Sequence, residues 1–505
     1  MSNFLNALKE ETTVTLTENG AKTYSSSLNS NLDFFGQAGA MRSRLNEVPR
    51  LFSDAYTENK ELAVRNLVHL RNIRLGGLGE RDAYRLSFRS LADTDTQVAV
   101  NFVDYIAFIG RWDDVVDAYA HAVKTNNRAL RAKTVSVIKE TLDADIKAVS
   151  EGNSVSLLAK WLPIPSTASP SRRKIGLSLM EDLGIHSNEK GSYRRAISRL
   201  RTEIGIVEQK LASKNYDDIN FEKLPSKALF QYREAFRRHM PTKYQDYLDS
   251  VEKGEAKMNA GTLLPYEILR AYAGRGWGSS IREYNQSLEL AWKSLDNVLE
   301  GINDNAIVMA DVSGSMTGDP MDVSVSLGLY CAERLEGAFK DHFITFSGNP
   351  KLVHVPSSQT LKDRANKAYR ADWDMSTNLE KAFDLILNTA IKHNTPQNEL
   401  PSKLIIISDM EFNRCMRGSD ITNFENARRK FENAGYKLPD VVFWNVDSRN
   451  DNMPVRHDER GVALVSGLTP NIFRQVLGAD IVSPEAMMLE VLNSERYDFV
   501  SQVFK

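Results

Sequence analysis

The sequence predicts an α + α/β protein: a helical amino-terminal half followed by a parallel sheet wrapped in helices. Three observations carry this. From about residue 30 to 300 apolar residues recur at helical spacing. After Asn305 short unbroken apolar runs alternate with helical segments. The first of those runs leads straight into acids and hydroxyls, at the sheet edge where such architectures gather their ligands.

In the first half Leu62, Leu67, Leu70 and Ile73 share a helical face ahead of the breaker Gly76-Gly77-Leu78-Gly79. Helical pattern resumes over Asp82 to Leu91. Val100, Val103, Ile106, Phe108 and Ile109 mark the next helix, stopped at Gly110, and Trp112 to Val123 reads as its partner. Further stretches cover about 127–150, 171–184, 190–213, 226–239, 241–252 and 280–300. Stacked hairpins of this kind suit a degenerate α-solenoid or ring of HEAT-like repeats or an irregular bundle, since no strict period is present.

In the second half Ala306–Ala310 has the continuous apolar character of a strand buried on both faces. His342–Phe346, Leu404–Ser408 and Val441–Val446 are similar, and Val462–Val465 is a weaker case. Helices are expected at about 322–338, 378–392 and 422–434. The expected layout is a polar segment over 1–30, a helical domain over 31–303, a Rossmann-like α/β domain over 304–485, and a tail over 486–505 packing back on the helices. The polar first thirty residues either stay disordered or latch onto the carboxy-terminal domain.

The chain has 505 residues, 42% hydrophobic and 26% charged, the profile of a soluble globular protein. A net charge of −2 exerts no overall pull toward nucleic acid or membrane, so any preference must come from local patches. The two cysteines, Cys331 and Cys415, form no zinc-like spacing and point to a reducing, cytoplasmic setting. The amino terminus lacks the basic and apolar regions of a signal peptide, and no apolar run approaches the roughly 18 residues that span a bilayer.

The chemistry concentrates in three loops. Asp311-Val312-Ser313-Gly314-Ser315 leaves the first strand, Ser408-Asp409 ends the strand at Leu404, and Asp372-Trp373-Asp374-Met375-Ser376-Thr377 precedes a helix. Neighbouring strands would bring two carboxylates and three hydroxyls together. Such oxygen donors suit a hard octahedral cation, Mg²⁺ or Mn²⁺, with a position open for a partner's acidic group. Asp372 and Asp374 lack a nucleophile or base for hydrolysis, and there is no phosphate loop or nucleophile elbow. A binding protein, with no catalysis, is the expectation.

Asp311, Ser313, Ser315, Thr377 and Asp409 resemble the five positions of the metal-ion-dependent adhesion site of von Willebrand factor A (vWA) domains. That resemblance covers about residues 304–485. It implies that Ser313, Ser315 and Thr377 touch the metal directly and that Asp311 and Asp409 act directly or through water. The loop before Thr377 lacks the glycines often found there, which leaves Ser376 as a substitute for it.

A helical half joined to such a domain resembles the Ro autoantigen family, whose TROVE module is a ring of helical repeats that binds RNA. The chain is also similar to a group of vWA proteins of plants and phages. The supporting motifs are Arg74-Leu75-Gly76-Gly77-Leu78-Gly79-Glu80-Arg81, Ile109-Gly110-Arg111-Trp112-Asp113-Asp114 and Leu263-Leu264-Pro265-Tyr266-Glu267-Ile268. The likeness to TROVE rests mainly on domain order, and it implies an RNA-binding scaffold that works as a monomer. One local feature agrees. Between Lys160 and Ser250 basic residues outnumber acidic ones by six. Arg172, Arg173, Lys174, Arg194, Arg195, Arg199, Arg201, Arg237 and Arg238 are candidate phosphate contacts, interleaved with Tyr193, Tyr232 and Phe236. The same spacing fits a solvated helix face. The alternative to an RNA scaffold is an adaptor that binds an acidic protein partner through the metal.

Overall fold

The computed structural model of the chain describes residues 11–273, 283–346, 348–371, 378–414, 421–478 and 480–505, together with residues 4, 8 and 281. Helices dominate to about residue 300, and a six-stranded sheet flanked by helices follows. The α + α/β class is what the two hydrophobic periodicities require. No described helix is long and apolar enough to cross a membrane.

A small hairpin comes first: β1 (Val14–Leu16) pairs antiparallel with β2 (Lys22–Tyr24). The longer helices of the first half are α1 (Ser30–Gln37), α2 (Val48–Glu58), α3 (Lys60–Arg71), α4 (Arg81–Thr94), α5 (Thr96–Ile109), α6 (Trp112–Thr125) and α7 (Arg128–Ser150). They continue as α8 (Pro170–Asp182), α9 (Lys190–Ile204), α10 (Pro241–Glu252), α11 (Pro265–Ala273) and α12 (Gln286–Lys293). Asn29, Asn59, Asp95, Asn127 and Asn285 each cap the helix that follows by accepting a backbone N–H, so these boundaries are written locally. Two expected helices divide. The stretch at 190–213 breaks at Gly205, whose φ of +68° ends α9, and that at 226–239 breaks at Tyr232.

The sheet order is β5-β4-β3-β6-β7-β8, with β3 (Ala306–Asp311), β4 (His342–Phe346), β5 (Lys351–His354), β6 (Lys403–Ser408), β7 (Asp440–Asn445) and β8 (Val462–Ser466). All neighbours are parallel except β5, which returns antiparallel along β4. Strand β5 and the helix α14 (Leu361–Tyr369) were not expected from the sequence. As an edge strand of four mostly exposed residues, β5 carries no apolar run to betray it. The helices α13 (Asp319–Arg334), α15 (Leu379–His393), α16 (Asn423–Asn433) and α17 (Pro484–Leu492) complete the second half.

The three motifs singled out in the helical half are structural joints. Asn471 Nδ2 donates to the carbonyls of Ile73 and Gly77, at 3.1 and 3.2 Å, and Gln475 Nε2 to that of Gly76, at 3.1 Å. The glycine turn is thereby docked on the short helix Asn471–Val476. At Gly77 a Cβ would meet the His69 carbonyl at 2.3 Å, so only glycine lets the chain pass. In the second motif Asp114 is wholly buried and accepts from Arg71 Nη2 at 2.8 Å, Arg85 Nε at 2.7 Å and the Arg111 N–H at 3.0 Å. The third opens α11, where Arg42 reaches Tyr266 Oη at 3.1 Å and Arg270 ties to Asp322 of α13 at 3.0 Å.

The last residues also lie against the first half. Asn101 Nδ2 donates to the Val503 carbonyl at 2.9 Å, and Phe499 packs 4.8 Å from Tyr105. Tyr497 Oη is hydrogen-bonded to buried His69 Nδ1 at 2.8 Å. Burial, with Arg496 nearby, pushes the His69 pKa down to about 3.

Two outcomes follow from these joints. Asp114→Ala leaves Arg71 without its buried counter-charge and should lower unfolding stability by about 3–5 kcal/mol in denaturant titrations. The His69 imidazole is neutral in the fold and titrates near 6.5 when unfolded, so its contribution is intact above pH 6.5 and is lost as pH falls toward 3. At pH 5 the loss should be about 2 kcal/mol relative to pH 7, and His69→Asn should remove that share of the pH dependence.

Candidate functional site

The chain leaves β3 toward β4 and β5 on one side and later enters β6 on the other, so the strand order reverses between β3 and β6. A crevice beyond the carboxyl ends of the strands opens at such a reversal. The register aligns Ala310 with Ile407, which sets Asp311, the last residue of β3, beside Ser408, the last of β6. Ser408 Oγ donates to Asp311 Oδ2 at 2.6 Å, and the Ser313 N–H donates to Asp311 Oδ1 at 2.9 Å. Ser313 Oγ and Ser315 Oγ lie 3.1 Å apart.

Asp409 follows directly. Its Oδ1 accepts the Glu411 N–H at 3.1 Å, and its Oδ2 accepts from Arg449 Nη2 at 3.0 Å. Met410 between them has φ of +66°, a left-handed conformation that costs a β-carbon-bearing residue about 1 kcal/mol. The turn is tight enough to fold the Glu411 N–H back onto Asp409. Asp311, Ser313 and Asp409 are all buried, and Ser315 is half-buried. Burial, and then the charge of Asp409, raises the Asp311 pKa well above the usual carboxylate range.

Other acids surround this pair. Glu411 is buried and accepts from Asn450 Nδ2, Asn452 Nδ2 and the Glu18 N–H at 2.8, 2.7 and 2.7 Å, and burial raises its pKa. Glu18 sits in the turn of the amino-terminal hairpin, 3.1 Å from Arg449 Nη2. Asp447 accepts from Ser43 Oγ at 3.0 Å, and burial raises its pKa too. Burial opposes the charge on Arg449, but Asp409, Glu18, Glu411 and Asp447 outweigh it and hold its pKa above the ordinary value. Among the described residues, these five carboxylates against the Arg449 guanidinium make the crevice attractive to cations.

The structure thus brings together four of the five residues singled out for a cation: Asp311, Ser313, Ser315 and Asp409. Thr377, with Ser376, Asp372 and Asp374, lies outside the described residues, as does Cys415. Among the described residues no group of three or more His, Cys, Asp or Glu side chains is arranged to hold a metal. The donors here are instead two carboxylates and two hydroxyls, all hard oxygen, and they fit Mg²⁺ or Mn²⁺ better than any softer ion. Arg449, Glu411 and Glu18 escaped sequence reading. The polar run Asp447-Ser448-Arg449-Asn450-Asp451 after the strand adjoining β6 was a usable signal for Arg449, whereas nothing in the sequence points to Glu18.

A family model for a domain of unknown function, DUF7788, matches residues 305–501. A second, DUF2828, also a domain of unknown function, matches residues 178–301. An uncharacterized protein of Acanthamoeba polyphaga mimivirus, L728, is 28% identical over 516 residues, covering 95% of this chain and 87% of that protein. The first match begins one residue before β3 and runs through the docked tail, so it spans the candidate site. Neither matched family is the vWA or the TROVE family.

The basic residues of the first half sort into different environments. Arg172, Arg173 and Lys174 on α8 and Arg194, Arg195 and Arg199 on α9 are exposed. Among the described residues none of these six has a carboxylate within ion-pair distance. Arg172 Nη2 reaches the Trp161 carbonyl at 3.2 Å, and Arg201 holds those of Ala159 and Leu162 at 2.8 and 2.9 Å, so both helices flank one short turn. Arg201 itself is turned inward, and burial lowers its pKa. Arg238 is exposed, while Arg237 pairs with Glu234 at 2.9 Å. Tyr193 and Phe236 are buried and offer no ring to a base, and Tyr232 is half-buried.

Proposed function

We propose that the carboxy-terminal half is a vWA-type binding domain that recruits an acidic group of a protein partner through a divalent cation. The observation that carries this reading is the pairing of Asp311 with Asp409, two buried carboxylates at the exits of adjacent parallel strands, flanked by the Ser313 and Ser315 hydroxyls. Two acids balance the charge of one dication, and hydroxyls leave it electrophilic toward another oxygen. Ser313, Ser315, Asp311 and Asp409 would hold the ion, with Thr377 added by resemblance. The order of the six strands, with its antiparallel edge, suits such a domain. The chain then acts as a binding protein and catalyses no reaction.

Mg²⁺ or Mn²⁺ should raise the melting temperature of the wild-type chain and leave that of Asp311→Ala unchanged. At a hundred-fold excess over Kd the expected stabilisation is about 2.7 kcal/mol. Equal shifts in both proteins would remove the cation from the reading, as would no shift in either.

A second reading concerns the helical half. The six unpaired cations on α8 and α9 favour a polyanion surface, which agrees with the Ro-like domain order and with a TROVE-like, HEAT-like module that grips RNA. Because Tyr193 and Phe236 are buried, contact would run through phosphates with little base stacking, so salt dependence should be steep and sequence preference weak. In a mobility-shift assay with structured RNA at low salt, replacing Arg172, Arg173, Lys174, Arg194 and Arg195 by Glu should abolish the complex. Binding left intact by that replacement would eliminate this surface.

A further inference from the structure

Arg449 lies in the loop after β7, and a single nitrogen of its guanidinium bridges two carboxylates. Nη2 is 3.0 Å from Asp409 Oδ2 and 3.1 Å from Glu18 Oε2. Its Nε is buried and makes no hydrogen bond among the described residues. A half-buried guanidinium whose Nε–H is unsatisfied is held by charge and lacks the complete hydrogen-bond set of a fixed structural arginine. The Arg71–Asp114 pair shows the contrast, for there both Nε and Nη2 donate to the acid. Arg449 also keeps 29% of its side chain exposed, so it has somewhere to move.

Glu18 is delivered to this spot by a clamped turn. Thr17 Oγ1 donates to the Phe412 carbonyl at 2.7 Å, the Glu18 N–H to Glu411 Oε2 at 2.7 Å, and Asn19 Nδ2 to the Glu411 carbonyl at 2.6 Å. Asn450 Nδ2 steadies Glu18 Oε1 at 3.0 Å. The backbone of the hairpin tip is therefore fastened to the segment that follows Asp409, and the Glu18 carboxylate reaches the same Arg449 nitrogen as Asp409.

We propose that Arg449 is a resident counter-charge on Asp409 that a divalent cation must displace, and that Glu18 is the carboxylate that receives the displaced guanidinium. The inference rests on the cation reading above. A dication and a guanidinium on the same Asp409 oxygen repel one another, so occupancy by one disfavours the other. Nη2 already touches Glu18, so release from Asp409 needs only a small rotation. Once released, Arg449 pairs with Glu18 alone, and the undivided ion pair adds to the hydrogen bonds that already fasten the hairpin tip. Cation binding and hairpin docking are then linked, and linkage is reciprocal: what weakens the hairpin contact weakens the cation. The amino-terminal segment thereby sets the affinity of a site formed some three hundred residues or more downstream in the chain.

The test is Mn²⁺ binding to the full chain by calorimetry, in wild type, Arg449→Gln, Glu18→Gln, the double variant and Asp311→Ala. Arg449→Gln should tighten Mn²⁺ binding about tenfold and Glu18→Gln should weaken it about fivefold, couplings of ordinary size for linked sites. In the Arg449→Gln background the Glu18→Gln effect should vanish. An undiminished Glu18 effect there means that Glu18 acts as bare charge on the ion and overturns its receiving role. Arg449→Gln binding no tighter than wild type, with Asp311→Ala still abolishing binding, overturns the displacement and leaves the cation reading standing. Absence of Asp311-dependent Mn²⁺ binding in both wild type and Arg449→Gln defeats the cation reading itself. A second measurement does not depend on how Arg449→Gln folds. Amide exchange at Glu18 to Ala21 in the wild type should slow when Mn²⁺ is added and should stay constant in Glu18→Gln, whereas unchanged or faster wild-type exchange overturns the link.

Discussion

Asp311 and Asp409 leave the sheet from neighbouring parallel strands, and two like charges buried side by side must be compensated or one must be neutralised. The surrounding structure meets that demand with neutral donors on Asp311, from Ser408 and the Ser313 N–H, and with one cation on Asp409, from Arg449. The loops after β3, β6 and β7 take their shapes around this problem. The left-handed Met410 turns the chain so that the Glu411 N–H also serves Asp409, and Glu411 in turn receives three amide donors from the loop after β7 and from the hairpin.

The same demand explains why the two halves are joined so closely. The amino-terminal hairpin closes one side of the crevice, and α1 lies on β8; in the short turn after α1 a Cβ at Gly39 would meet the Ser466 carbonyl at 2.7 Å. Docking elsewhere uses main-chain groups as well as side-chain pairs: Asn471 and Gln475 read the carbonyls of the glycine turn, and Ser448 N–H donates to the Ala40 carbonyl at 3.0 Å. Contacts made through backbone carbonyls depend on the exact course of the chain, and two glycines without side chains make room for them. The helical half is therefore part of the frame that holds the site.

On the helical side, burial separates residues that look alike in the sequence. Along α9, Tyr193, Ile197 and Leu200 point into the core while Arg194, Arg195 and Arg199 point out, the ordinary division of an amphipathic helix. Arg201 falls next to the buried edge and holds two carbonyls of the turn below. Tyr193 and Phe236, which alternate with the arginines in the sequence, share that inward direction, and Tyr232 is half-buried, so alternation along the chain does not make a mixed surface.

Local chemistry was legible from the sequence alone: buried parallel strands appear as unbroken apolar runs, helices as their periodicity and caps, and Asp311, Ser313, Ser315 and Asp409 as polar residues at or just after strand ends. Each of these depends on neighbours within a turn or a strand. What only the tertiary structure decided was long-range, because it turns on which distant segments are adjacent. Strand β5 has no apolar pattern and exists because β4 offers an edge. The glycine motif between α3 and α4 reads as a mere breaker until Asn471 and Gln475 dock on it. Glu18 and Arg449, remote in the chain and unremarkable in their local context, meet at Asp409 because the hairpin is fastened to the loop after β6. A charge's partner is set by distance in space, and spacing along the chain carries no record of it.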